Sequence, residues 1–232
     1  MLSLIVPAHD EAALLGPTLD ALRRAASALP IAHELIVVDD ASTDATAHIA
    51  HAHGARVSRI ARRHIAAARN AGALAARGER LLFVDADTHV DAAVLAAAMA
   101  ALDAGAVGGG AAVRLHGERV RWLERACTRL LMVAFRWTTI APGCFVFCTR
   151  AAFDAVGGFD ERWYAGEDVA MSRALAAHGR FVILRESVLT SDRKLRTFSL
   201  LDHLRLALRL LVRGRRVLRS RHALGLWYAR RR

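Results

Sequence analysis

Asp85-Ala86-Asp87 sets two carboxylates one residue apart at the end of a short run of Leu, Phe and Val, residues 81–84. An uncharged apolar run of that length, bounded by polar residues, reads as a strand buried on both faces of a parallel sheet. Ligands of open α/β sheets bind in the crevice beyond the carboxyl ends of the strands. Two carboxylates placed there suit a hard divalent cation that keeps several waters and bridges to substrate phosphates. The competing reading is that Asp87 or Asp91 caps the alanine-rich helix that follows, the commoner use of an isolated Asp-x-Asp. This one is not isolated. Residues 2–7 run apolar and open into Ala8-His9-Asp10-Glu11, and residues 35–38 do the same into Asp39-Asp40-Ala41-Ser42-Thr43-Asp44. In a parallel sheet these acids gather along one rim, where a metal or the donors of a ligand would have to compensate them.

Two further groups of residues could do chemistry. Arg69-Asn70 sets a guanidinium beside the only carboxamide of the chain, near that rim. It could hydrogen-bond a base or a phosphate, or simply neutralise the acids. Gly157-Gly158-Phe159-Asp160-Glu161-Arg162-Trp163-Tyr164-Ala165-Gly166-Glu167-Asp168 reads as a mobile surface loop running into a helix over 169–177. Glu167 and Asp168 could serve the helix dipole as first-turn acids. A carboxylate at such an edge also suits a general base taking a hydroxyl proton. Trp163 and Tyr164 would offer a flat apolar surface to a sugar ring or an acyl chain.

Strands and helices alternate regularly enough to hold these groups. Helices are expected near 12–29, 43–53, 65–76 and 92–102, separated by strands near 2–7, 35–38, 55–60 and 81–84. Such βα alternation implies a right-handed, mostly parallel sheet flanked by helices. Beyond residue 105 the pattern loosens: strands near 106–113 and 144–148 and a helix near 118–135 are the remaining candidates.

Composition narrows the function. The 232 residues are 54% hydrophobic and 24% charged, enough for a packed core in one domain. Cys127, Cys144 and Cys148 have no CxxC spacing and read as small buried hydrophobes in a reducing compartment. The only lysine, Lys194, lies near the end, which excludes a core P-loop or Schiff-base lysine. No GxSxG elbow occurs and no GxGxxG follows the first strand, against a hydrolase elbow or a dinucleotide-dependent enzyme. Met1 leads straight into a strand and no stretch is long and apolar enough to span a bilayer, so a cytoplasmic protein is expected.

The net charge of +11 sits at one end. Residues 191–232 hold 13 Arg plus Lys against Asp192 and Asp202, whereas residues 1–190 are neutral. Leu201, Leu204, Leu208 and Leu211 recur there at helical spacing with Arg205, Arg209 and Arg213 alongside. A basic amphipathic helix of this kind reads first as a peripheral contact with an anionic membrane. Packing on its own domain comes second. Nucleic acid comes last, because no aromatic platform or reading motif accompanies the charge. The chain thus divides into residues 1–190 and a basic helical extension, 191–232.

Taken together, these motifs resemble family 2 glycosyltransferases of the GT-A fold. The segment from Val6 to Glu11 is similar to the family's opening nucleotide loop, that from Val37 to Asp44 to its second-strand signature, and Arg69 to Gly72 to its third motif. Asp85-Ala86-Asp87 resembles the metal-binding DxD, and residues 157–168 the GGFDE…ED segment. The resemblance implies Pro7, Ala8 and Asp39 against the nucleotide base, with Glu11 close to the ribose or phosphates and His9 among the nucleotide-binding residues. It further implies Arg69 supporting the base or diphosphate, Asp85 at the ribose, Asp87 ligating Mn²⁺ or Mg²⁺, and Asp168 as catalytic base. The implied reaction is inverting transfer from a nucleoside-diphosphate sugar, UDP-linked by default, to an acceptor hydroxyl. The QxxRW motif of processive members is absent, since the chain has no glutamine. The basic tail suggests a lipid-linked or membrane-proximal acceptor. A non-catalytic sugar-nucleotide-binding protein at the membrane surface is the alternative, against which Asp87 and Asp168 both argue.

Overall fold

A computed structural model describes residues 1–116, 140–191 and 218. The helix expected over 118–135, Cys127 and, apart from Leu218, the basic extension lie outside the described residues.

The first half follows the expected alternation: β1 (Leu2–Ala8), α1 (Ala12–Ser27), β2 (His33–Asp40), α2 (Thr46–Ala52), β3 (Arg56–Ile60), α3 (Ile65–Ala75), β4 (Arg80–Val84) and α4 (Ala92–Asp103), with the two-residue β5 (Thr88–His89) between the last two. The second half adds β6 (Gly108–His116), β7 (Phe145–Thr149), α5 (Arg150–Ala155), α6 (Glu167–His178) and β8 (Phe181–Ser191). All join one sheet of order β3-β2-β1-β4-β7-β6-β8-β5. Strands β3, β2, β1 and β4 are mutually parallel, which brings their carboxyl ends to one rim. Strand β7 runs antiparallel to both β4 and β6, while β6 and β8 pair in parallel.

Both faces of the sheet are covered. Leu4, Val6, Leu82 and Phe147 pack under Leu15, Leu19, Leu22 and Leu95 from α1 and α4. Ile5, Ile36, Phe83 and Val146 pack under Ala66, Ala73, Met171 and Leu175 from α3 and α6. Two-sided burial is why β1 and β2 are continuous apolar runs and not alternating ones.

Helix α2 starts at Thr46, three residues later than the sequence suggests, because acids hold the preceding turn. The Asp44 carboxylate accepts from the Thr46 amide (2.9 Å) and the Ala12 amide (3.1 Å), and Asp10 accepts from the Thr43 amide (2.6 Å). Residues 157–168 depart from the expected mobile surface loop. Phe159 is buried and packs edge-on against Phe83 of β4, so the loop is pinned near its start. Strand β6 opens with Gly108-Gly109-Gly110, wedged between β7 and β8. A Cβ at Gly108 would lie 2.7 Å from the Phe147 carbonyl oxygen and 3.1 Å from Cδ1 of Leu175 on α6.

Candidate active site

Arg69 is the hub of the acidic rim. It sits on the first half of α3 and points inward, 2% exposed. Its Nη1 donates to Glu167 Oε1 (2.8 Å), and its Nη2 donates to Asp85 Oδ1 (2.9 Å) and to the Gly143 carbonyl (2.7 Å). The Phe159 ring lies beneath the guanidinium, 5.1 Å from centroid to Cζ. One cation therefore joins the end of β4, the turn before β7 and the start of α6. A guanidinium suits this position because its planar fork serves several oxygens without deprotonating. Of the two roles left open for Arg69, neutralising the acids is what its partners describe. Its terminal nitrogens meet protein oxygens, so its influence on a ligand runs through the carboxylates it orients.

Asp168 follows Glu167 in the first turn of α6. Its Oδ1 accepts from the Val169 amide (2.8 Å), and its Oδ2 lies against Gly143, where a Cβ would approach to 2.7 Å. Gly143 thus admits Asp168 with its bare Cα and anchors Arg69 with its carbonyl. Burial pushes the carboxyl of Asp168 above the usual carboxylate range, although Arg69 pulls the other way. Burial does the same to Glu167, up to about 7, against the attraction of Arg69 and with the repulsion of Asp168.

That shift makes stability depend on pH. An unfolded Glu167 loses its proton near 4.5, whereas the folded one holds it to about 7. Below 4.5 both states are protonated and the contribution is complete. As pH rises toward 7 the unfolded chain is the readier to ionise, so stability falls and then levels off. Urea titrations across pH 4–8 are expected to show this decline in the parent chain and a flatter profile in Glu167→Gln. Equal slopes in the two would mean that Glu167 is ionised throughout.

The structure sorts the remaining acids. Asp91, not Asp87, caps α4: its Oδ1 accepts from the Val94 amide at 2.9 Å. Asp87 stays half-buried just beyond β4, two residues from Asp85. Asp40 straps the turn before α3, accepting from the amides of Arg62, Arg63 and His64, each at 2.7 Å. Asp10, Asp40 and Asp44 are therefore compensated by main-chain amides, and the charge of the rim is only partly left for a ligand. Asp39 is 6% exposed, pairs in register with Ala8, and accepts from the Ser42 amide (3.1 Å). His9 donates from Nδ1 to the Asp40 carbonyl (2.7 Å), which leaves Nε2 to accept from Arg63 (2.7 Å). Pro7, Ala8, His9, Glu11 and Asp39 are thus neighbours at the ends of β1 and β2, with Asp85 and Asp87 just beyond the end of the adjoining β4.

Sequence reasoning missed what holds residues 157–168. Asn70 donates to the Phe159 carbonyl (2.9 Å) and accepts from the Phe159 amide (2.9 Å), standing in for a strand partner. Its being the single asparagine was the available signal. Gly143 was missed as well, and Pro142-Gly143 signals nothing beyond a turn.

The central sheet with these rim acids has the GT-A fold, shared with solved glycosyltransferases. The mannosyltransferase PcManGT from Pyrobaculum calidifontis, solved with GDP-Man and Mn²⁺, superposes with a TM-score of 0.69 at 22% identity, over 98% of this chain and 73% of that one. TarS 1-349 of S. aureus, solved with UDP-GlcNAc, gives 0.64 at 20% identity, over 82% and 58%. The chain belongs to glycosyl transferase family 2, whose profile matches residues 3–157. An uncharacterized glycosyltransferase of Mycobacterium tuberculosis is 41% identical over 80 residues, a stretch that spans 34% of this chain and 37% of that protein.

Proposed function

We propose that the chain transfers a sugar from a nucleoside-diphosphate sugar to an acceptor hydroxyl in a single displacement with inversion. The observation that supports this is the Arg69 bridge, which holds Asp85 and Glu167, the neighbour of Asp168, on one guanidinium. In this reading Pro7, Ala8 and Asp39 face the base, with His9 beside them, Glu11 faces the ribose or phosphates, and Asp85 the ribose. Asp168 takes the acceptor proton; burial raises its pKa, which makes its carboxylate a stronger base than an exposed aspartate. No covalent sugar–protein intermediate is needed.

The residues fit a divalent cation. Among the described residues no group of three or more His, Cys, Asp or Glu could hold a metal unaided. Asp87 and its neighbour Asp85 offer hard oxygen donors of the kind Mn²⁺ or Mg²⁺ shares with donor phosphates and water. The bound cation would neutralise charge developing on the diphosphate leaving group. Neighbours solved with UDP-GlcNAc, with GDP-Man and Mn²⁺, and, for glucosyl-3-phosphoglycerate synthase of M. tuberculosis, with UDP and Mn²⁺ support this reading.

Thermal shift with UDP-, GDP- and dTDP-sugars tests it. One donor is expected to raise the Tm of the parent chain, and to do so only with Mn²⁺ present. Asp87→Ala is expected to lose that shift. A donor that stabilised both chains equally would remove the metal role of Asp87.

The proposal extends to the basic extension, which would hold the protein at an anionic membrane near a lipid-linked acceptor. Among the described residues no helix is long and apolar enough to cross a membrane. Deleting residues 192–232 should abolish co-sedimentation with phosphatidylglycerol vesicles; unchanged sedimentation would refute the membrane contact.

A further inference from the structure

A carbonyl from the basic extension reaches the loop that leads to the proposed base. The Leu218 carbonyl oxygen accepts from the amides of Tyr164 (2.9 Å) and Ala165 (3.3 Å). The Leu218 side chain stands over the next residue: a Cβ built on Gly166 would lie 3.6 Å from its Cδ1. Main chain and side chain of residue 218 are therefore both seated on the 157–168 loop. The residues they touch are the last three before Glu167 and Asp168.

This end of the loop needs a hold. At the start, Asn70 bonds the amide and the carbonyl of Phe159. Farther along, Asp160 accepts from the Arg162 amide (3.0 Å) and the Trp163 indole (2.9 Å), bonds that stay within the loop. The chain then enters α6 through Gly166, whose φ of 77° is the left-handed conformation that glycine adopts without strain. Lacking a side chain, Gly166 gives the helix no side-chain cap. Asp168 bonds to the amide of Val169, its chain neighbour, so that bond travels with the helix and does not locate it. Arg69 grips Glu167 on one side of the Gly166 pivot, and Leu218 grips Tyr164 and Ala165 on the other. The start of α6 is clamped between them.

We propose that Leu218 is a positioning residue for sugar transfer: it latches the turn at 164–166 and so fixes where the Asp168 carboxylate stands. The basic extension is then a working part of the active site. This rests on the reading of Asp168 as the base.

Full-length Leu218→Gly tests it, because it removes the side chain over Gly166 and loosens the backbone that carries the carbonyl, without adding charge near Asp168. Hydrogen exchange followed by NMR should find the Tyr164 and Ala165 amides protected in the parent chain and exchanging about tenfold faster in the variant, the worth of one ordinary hydrogen bond. Hydrolysis of the donor sugar nucleotide that raises the parent Tm, with water standing in for the acceptor hydroxyl, should lose about ten- to hundredfold in kcat, as when a reacting group is displaced. Affinity for the corresponding nucleoside diphosphate with Mn²⁺ should not change. Leu218→Met, apolar and of similar bulk, should restore both protection and kcat. Unprotected amides in the parent chain, or faster exchange with kcat unchanged, would refute the latch and leave the glycosyltransferase reading standing. A matching loss of nucleotide affinity would mean general loosening and would refute it as well. A parent chain that turned over no donor would bring down the transfer reading and this role of Leu218 together.

Discussion

Replacing Asp168 with Asn is expected to slow sugar transfer by about 10²–10⁴-fold, the usual worth of a positioned base. Donor binding should survive. The amide oxygen can still accept from the Val169 amide, and the side chain keeps its shape against Gly143. Steady-state kinetics with the donor that stabilises the chain would separate kcat from KM. In the parent chain kcat should rise with pH as the buried carboxyl loses its proton, and this dependence should vanish in the variant. Transfer at the parent rate would assign the base elsewhere.

The second large effect falls on stability. Arg69→Met removes the single cation that answers Asp85 and Glu167 and leaves the Gly143 carbonyl without its donor. Breaking a buried ion pair from one side typically costs about 3–5 kcal/mol, because a charge stays behind unpaired. Here Glu167 can escape by taking up a proton, so the loss should be smaller at pH 5 than at pH 8. Arg69→Lys should recover only part of it, since one ammonium cannot span three oxygens on separate elements. Urea unfolding at the two pH values measures both effects. A methionine variant within about 1 kcal/mol of the parent at pH 8 would mean that the bridge contributes nothing net.

Apart from the two-residue β5, the elements up to α4 were legible because each buried strand is a short apolar run closed by acids or turn residues, and the longer helices between them declare their period. Strand β8 was not. Arg185 and Glu186 interrupt its apolar pattern where its register against β6 shifts between Gly110 and Ala112, so alternation breaks inside the strand. The acids Asp39, Asp85, Asp87 and Asp168 stood out as residue types in order. What answers each of them did not. Asp40 spends its charge on three amides and Asp91 on one, facts of chain geometry that residue identity cannot announce. Asn70 was noticed for its rarity, yet its use as a surrogate for a strand partner needed the fold of residues 157–168.

The height of the proposed base above the sheet is set by atoms that are missing. Leu175 and Asp168 lie seven residues apart on α6 and so share one side of it. A Cβ at residue 108 would press first on the Phe147 carbonyl of β7 and then on Leu175 of α6, 3.1 Å away. Bulk introduced there is expected to act as a shim between the sheet and α6, shifting the carboxylate of Asp168 relative to the rim. Residue 108 thus bears on the reach of the proposed base from beneath, without ever meeting a substrate.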